Sequence, residues 1–250
     1  MLTQDPERRS GLGRGAAIQN RPRPAAAGLR LTDKAYRAIK REILECNLLP
    51  GAEVTRRELA ARLAIGNVPL REALIMLSQE GLLQPVPRSG YRITPVTVQD
   101  VQDIFALRLL LEPAAARQAA GRIERELLTR LNELCKAGYE PGNRASESAF
   151  LRANREFHVA IADASGNIRL ARVLGQLLEE TERLFHLGLA VRDRTDGMMH
   201  EHQDLLAAIA AGDAEAAARS TIEQIESARK MVMDGILSAP WFRGALVPQW

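Results

Sequence analysis

Four histidines, His158, His186, His200 and His202, are the side chains of this 250-residue chain best suited to proton or metal chemistry near neutral pH. Asn154 and His158 stand four apart and share one helical face. In HEH at 200–202 the two imidazoles fall on different faces and form no chelating pair. An enzyme built on these groups would use His158 and His202 to hold a metal, with an acid or base beside an open position. The motifs that would support catalysis are absent: there is no HExxH, GxSxG, GxxxxGK[ST] or GxGxxG, and GLGRG at 11–15 follows no strand. Cys46 and Cys135 offer neither a CxxC pair nor a disulfide framework. A second set of residues suits a different task. Arg71 can donate a bidentate pair to guanine O6/N7, and Asn67 can bind adenine N6/N7 in the same way.

The charge distribution agrees with that second task. The net charge is only +3, but residues 1–29 carry five Arg against two acids, and residues 30–96 carry eleven bases against seven acids. The remainder holds eighteen bases and twenty-two acids, so a basic N-terminal third is joined to an acidic bundle of residues. With 46% apolar, 26% charged and only 4% aromatic residues, the composition is that of a helical protein with a core. No apolar run approaches the ~18 residues of a membrane span, and the N-terminus lacks the apolar segment of a secretory signal. A cytoplasmic protein without membrane contact is expected.

The elements that must position these residues follow from periodicity. Residues 1–29 read as a disordered basic arm. From Thr32, a plausible N-cap, Tyr36, Ile39, Ile43 and Leu44 mark a helix that LLPG at 48–51 ends. Thr55 and Glu58 form a capping box for a second helix carrying Leu59 and Leu63. After a tight turn containing Gly66, Leu70, Leu74 and Leu77 stripe a third helix that Gly81 stops. Two short helices about a tight turn are a helix-turn-helix signature. LLQPVPRSGYRITPV then reads as a two-stranded hairpin, a wing with RSG at its tip and Pro85 and Pro87 at edge positions. The rest is helical: a Thr97/Asp100 capping box opens a helix running to Pro113, and further helices are expected at about 114–121, 124–137, 146–164, 168–191, 195–211 and 213–237. The predicted class is mainly α: a winged helix-turn-helix over 30–96, an antiparallel bundle of six to seven helices over 97–238, and an apolar, aperiodic tail over 239–250.

LAARLAIGNVPLREALIMLSQEGLLQPVPRSGYRI resembles the winged helix-turn-helix of GntR-type bacterial transcription regulators. DIFALRLLLEPAAARQAA, NREFHVAIADASGN and EHQDLLAAIAAGDAEAA are similar to the FCD effector domain of the FadR subfamily, in the same order along the chain. The resemblance implies a homodimeric regulator, more often a repressor, that binds a pseudo-palindromic operator in double-stranded DNA. It also implies a small effector, an organic acid with a carboxylate, bound in the bundle. Arg57, Arg71 and Gly90 match DNA-contacting positions of the family, with Asn67 and Val68 at the start of the recognition helix and Arg88 and Arg92 on the wing as phosphate contacts. The family more often has Arg at position 67 and small hydroxyl residues at 66 and 68, so Gly66, Asn67 and Val68 depart from its operator-reading pattern. That departure also admits an interaction module that has lost DNA binding.

FCD domains often hold zinc, nickel or manganese on one Asp and three His. Here Asn154, His158, His202 and Gln224 occupy those places, so His158 and His202 remain as metal ligands beside two weakly binding amides. Three readings stand: a divalent metal completed by the effector's own carboxylate, a metal-free pocket in which the four groups hydrogen-bond the effector, or satisfied polar residues of the core. Arg108 either binds an anionic effector or pairs with Glu112 at i+4.

Overall fold

The structure is a computed structural model that describes residues 24–136, 138–189 and 195–238. The expected arm therefore lies outside the described residues as far as 23, and the tail at 239–250 lies outside them altogether. Helix α1 runs from Pro24 to Leu44, eight residues earlier than expected. Pro24 suits the first helical position and three alanines follow it, so the end of the expected arm has strong local reason to be helical. Thr32 is consequently no N-cap; it is buried within α1, and its hydroxyl donates to the Glu72 carboxylate.

The winged unit continues with β1 (Glu53–Val54), α2 (Arg56–Leu63), α3 (Asn67–Gln79), β2 (Leu83–Val86) and β3 (Gly90–Ile93). The Thr55/Glu58 capping box is formed, with the Glu58 backbone N–H donating to the Thr55 hydroxyl at 3.2 Å and the Thr55 N–H to the Glu58 carboxylate at 2.8 Å. The turn between α2 and α3 places Ala64, not Gly66, in the left-handed region, at φ 52°. Ile39 and Ile43 of α1, Leu59 of α2, Leu70, Leu74 and Leu77 of α3, and Leu83 and Ile93 of the sheet form one core. The expected two-stranded wing is a three-stranded antiparallel sheet in the order β1–β3–β2. The missed strand, with Glu53 opposite Arg92 and Val54 opposite Tyr91, is too short to show alternation. Pro85 sits on the edge strand β2, as its missing N–H requires.

Among the described residues six helices follow: α4 (Val98–Ala119), α5 (Arg125–Cys135), α6 (Arg144–Ala164), α7 (Ile168–Leu189), α8 (Thr195–Ala211) and α9 (Ala214–Ser238). The Thr97/Asp100 box opens α4 as expected. Pro113 does not end that helix. It lies buried within it, and the following Ala115, Ala116 and Ala119 pack into the bundle. Tertiary burial of that alanine face offsets the missing backbone hydrogen bond, so the two helices expected on either side of Pro113 are one.

Helices α7 and α9 cross at glycine. A Cβ on Gly235 would lie 2.6 Å from the Gly188 Cα and 3.0 Å from the Leu187 carbonyl oxygen. Gly235→Ala should therefore cost about 1–3 kcal/mol in urea unfolding. Gly175→Ala, on α7 with nothing within 4 Å of the new methyl, should be neutral or stabilising by up to about 1 kcal/mol. Equal stability of the two variants would contradict a glycine-dependent crossing.

Candidate nucleic-acid interface and buried polar site

The packing of the winged unit determines which side chains remain outside. Leu70, Ala73, Leu74 and Leu77 bury one face of α3, leaving Asn67, Val68 and Arg71 exposed on the other. Arg57 is exposed near the start of α2. Arg88 is exposed at the wing tip with φ 66°. Among the described residues Arg57, Arg71 and Arg88 form no ion pair, so their guanidinium groups are available to an external anion. Arg92 differs: its Nη2 lies 2.7 Å from Glu53 Oε1 across the β1–β3 pair, and its charge is already partly answered. Gly90 has a structural reason of its own. At φ +123° a Cβ would stand 2.5 Å from the Val54 carbonyl oxygen, so the approach of β1 demands glycine there.

The second set of candidates lies inside the bundle. Arg108 on α4, Asn154 and His158 on α6, His202 on α8 and Gln224 on α9 are each at least nine-tenths buried. The His158 and His202 rings lie 5.4 Å apart between centroids, and Phe157 packs 4.4 Å from the His202 ring. Gln224 donates through Nε2 to the Glu201 carbonyl, while its Oε1 is buried without a partner.

The residue that sequence reasoning placed only as a neighbour is Glu112. It is 4% exposed, accepts from Arg108 Nε at 2.6 Å through Oε1, and lies 3.2 Å from His158 Nδ1 through Oε2. Burial alone pushes the Glu112 carboxyl up, but Arg108 and then His158 outweigh it and hold it down at about 2. The i, i+4 spacing of Arg108 and Glu112 signalled the first contact; nothing local signalled the second, because His158 is on another helix. Of the two readings of Arg108, the pairing with Glu112 is present. Its Nε pairs with Glu112, its Nη1 is buried without a partner, and its guanidinium carbon lies 4.9 Å from the Phe105 ring centroid.

A divalent metal fits this donor set poorly. Two of the four positions are neutral amides, and one of them donates its N–H to a backbone carbonyl. The one carboxylate present is shared between Arg108 and His158. Among the described residues no group of three or more His, Cys, Asp and Glu has the arrangement of a metal site.

His202 is held neutral, its pKa lowered to about 3 by burial and then by His158. His186, on α7 with Nε2 buried and unpartnered, is lowered to about 4 by burial, Arg144 and Arg152. Both folded values lie below the unfolded 6.5, so below that pH the unfolded chain takes up protons the folded one refuses. Each histidine contributes stability above about pH 6.5 that is lost as pH falls toward its folded value. His202→Gln and His186→Phe should each lose less stability than wild type between pH 7 and pH 5 in urea titrations. An identical loss in all three proteins would contradict the neutral assignment.

A chain of ion pairs joins the bundle to the winged unit. Arg155, beside Asn154 on α6, lies 3.3 Å from Glu179 and 3.1 Å from Glu182 of α7. The other oxygen of Glu179 is 2.8 Å from Lys40 of α1. Lys40 also lies 3.2 Å from Glu80, the C-cap of α3, whose other oxygen accepts from the Tyr36 hydroxyl at 2.6 Å. Burial would lower the Lys40 pKa, yet Glu179, Tyr36 and Glu80 together raise it, so this lysine is a fixed cation. Arg152 adds a parallel tie to Glu45 at 2.9 Å. None of these cross-domain pairs was foreseen from spacing, since each partner is remote in sequence.

Comparison with known proteins finds two family models that match separate stretches of the chain. The model of bacterial regulatory proteins of the gntR family matches residues 31–93, and that of the FCD domain matches residues 103–227. The HTH-type transcriptional regulator YdhC of Bacillus subtilis (strain 168) is 30% identical over 190 residues, covering 73% of this chain and 82% of YdhC. The HTH-type transcriptional repressor GlaR of Escherichia coli (strain K12) is 28% identical over 193 residues, covering 71% and 84% of the two chains. Among solved structures, E. coli McbR/YncC shares the fold with a TM-score of 0.71 at 23% identity, covering 82% of this chain and 97% of its own.

Proposed function

The chain belongs to the GntR family of bacterial regulatory proteins and carries an FCD domain, and from that premise we propose how its two halves act together. It is a DNA-binding transcription regulator and not an enzyme. We read it as a cytoplasmic repressor whose operator affinity is set by a small ligand held in the bundle without a metal. The observation that carries this reading is the set of unfilled valences in the bundle: Arg108 Nη1 and Gln224 Oε1 are buried without partners in the domain that also buries Asn154, His158 and His202. Buried polar groups are rarely left unsatisfied, so a ligand that accepts from Arg108 and donates to Gln224 has a strong enthalpic foothold. A monocarboxylate bearing a hydroxyl or amino group meets both demands.

The DNA-binding face is Arg57, Asn67, Val68, Arg71 and Arg88, with Gly90 letting the wing fold back on β1. Two copies would read half-sites about one helical turn, ~34 Å, apart. Coupling between ligand and operator would pass through α6, which carries Asn154 and His158 and, one residue along, Arg155. From there the Arg155–Glu179–Lys40–Glu80 pairs reach the end of α3. A ligand that favours one setting of α6 shifts the orientation of the winged domains, by a coupling of about 1–3 kcal/mol.

Dimerisation has a candidate surface on the bundle. Leu107 and Leu110 of α4 are 47% and 70% exposed, and Ile168 and Val173 of the contacting helix α7 are 83% and 47% exposed. We place the homodimer interface here. Light scattering should give the mass of two chains for wild type and of one chain for Leu110→Arg, whose operator affinity should fall to that of a single half-site. A dimeric Leu110→Arg protein would move the interface elsewhere.

The function itself is tested by fluorescence anisotropy with a duplex taken from upstream of the regulator's own gene. Binding should weaken steeply between 50 and 200 mM salt, with log affinity falling by about 0.9 per phosphate neutralised for each tenfold rise in salt. A panel of hydroxy- and amino-monocarboxylates should contain a compound that raises the melting temperature and shifts DNA affinity in wild type but not in His158→Ala. Protein that carries near-stoichiometric zinc, nickel or manganese in elemental analysis would overturn the metal-free reading. Salt-insensitive or absent DNA binding would overturn the regulator's operator reading in favour of an interaction module.

A further inference from the structure

The first turn of α3 carries a hydrophobic side chain for which the folded protein supplies no use. Val68 is 68% exposed, while the inward positions of the same helix are filled by Leu70, Ala73, Leu74 and Leu77. It shares the outward face with Arg71, three residues on, a spacing that brings the two Cβ atoms within about 5–6 Å of each other. An exposed valine there is covered only when α3 meets its partner.

If α3 lies in the major groove, its neighbours limit what Val68 can touch. The base edges of that groove offer donors and acceptors at every pair, and one apolar group, the C5-methyl of thymine. Glu72, the acid that could otherwise accept from a cytosine amino group, is drawn back by the hydroxyl of Thr32. The position before Asn67 is also informative. Gly66 has φ −67° and ψ 154°, a conformation open to any residue, and a Cβ there would meet only the Pro69 ring at 3.8 Å. The fold does not require glycine at 66, and its bare backbone leaves the flank of Val68 open to a base edge.

We propose that Val68 is a specificity-determining residue that reads the C5-methyl group of a thymine. The geometry of α3 also places that base. Three residues of helix rise about 4.5 Å, and stacked bases are spaced about 3.4 Å apart, so the thymine lies within two base pairs of the guanine taken by Arg71. The inference rests on α3 being the recognition helix, and it names the base edge that this chain reads from position 68.

The test uses the full-length protein and a duplex obtained by in-vitro selection with it. Each thymine of the half-site is replaced in turn by uracil, which removes only the methyl group. One thymine close to the Arg71-dependent guanine should lose about four-fold in affinity, the value for one buried CH2-sized group, and about fifteen-fold when both half-sites are changed. In Val68→Ser the same replacement should have no effect, because the serine has no apolar surface to lose. Arg71→Ala is measured alongside on the same duplexes. If wild type tolerates uracil everywhere, or Val68→Ser retains the full uracil penalty, the methyl reading is wrong while the recognition helix stands. If no duplex is selected, or binding is indifferent to Arg71→Ala, the placement of α3 fails and the inference with it.

Discussion

Arg71→Ala should weaken binding to the selected operator by about 1–3 kcal/mol, roughly five- to a hundred-fold, and relax selectivity at one base pair of each half-site. The size follows from what the side chain offers: two parallel N–H donors from an exposed guanidinium that no acid among the described residues engages. Affinity for a scrambled duplex should change far less, because that binding is dominated by phosphates. Arg57→Ala should do the opposite, lowering specific and non-specific affinity together and reducing the salt slope by about 1. Anisotropy titrations of both variants against both duplexes separate the two roles. An Arg71→Ala protein with unchanged selectivity would show that α3 does not enter the groove as its exposed face suggests.

The largest expected loss of stability comes from Glu112. Replacing it with Ala leaves the Arg108 guanidinium, 2% exposed, without its one anionic partner among the described residues, and removes the carboxylate 3.2 Å from His158 Nδ1. Breaking a buried pair from one side typically costs about 3–5 kcal/mol, since the remaining charge keeps its desolvation penalty and loses its compensation. Arg108→Met combined with Glu112→Leu should recover most of that loss, as the apolar replacement removes both charges at once. Urea unfolding of the two variants makes the comparison. If Glu112→Ala lies within about 1 kcal/mol of wild type, the pair is not the buried charge centre described above. The pH dependence has the same origin. The folded carboxyl sits at about 2, below its unfolded value, so its contribution is present above about pH 4.5 and is lost as pH falls toward 2. The double variant should lack that acid-sensitive component.

The unpaired Nη1 of Arg108 bears on the ligand site proposed above. The pair with Glu112 uses one edge of the guanidinium and fixes its plane, so the remaining donor is oriented before any ligand arrives. A ligand carboxylate then meets an arginine whose desolvation and ordering have been met in folding, which favours affinity. This is why charge neutralisation within the protein and anion binding by the same arginine do not exclude each other.

What could be read from the residues alone was local in origin. The Thr55/Glu58 and Thr97/Asp100 boxes, the stripe of Leu70, Leu74 and Leu77, and the edge position of Pro85 depend on neighbours within a few residues, and all are present as expected. The exposure of Arg57, Asn67 and Arg71 follows from the same periodicity, so the face proposed for DNA could be drawn before any tertiary contact was known. The i, i+4 spacing put Asn154 and His158 on one face, but their grouping with His202 and Gln224 was legible only through resemblance, since no spacing joins residues on three separate helices.

Tertiary structure decided the rest because its determinants are remote in sequence. Thr32, inside α1, is tied to Glu72 forty residues away, and a helix survives Pro113 because its alanine face is buried by other helices. The two-residue strand β1 exists only because β3 pairs with it, and it alone explains why position 90 must be glycine. Glu112 became a shared carboxylate, and Lys40 a link between the end of the recognition helix and the bundle, only when separate helices were packed side by side. Sequence determined that the protein has a DNA-reading half and a helical half. The packing of charged groups between and within those halves, where Coulomb energy depends on distance through space and not along the chain, was decided by the tertiary structure.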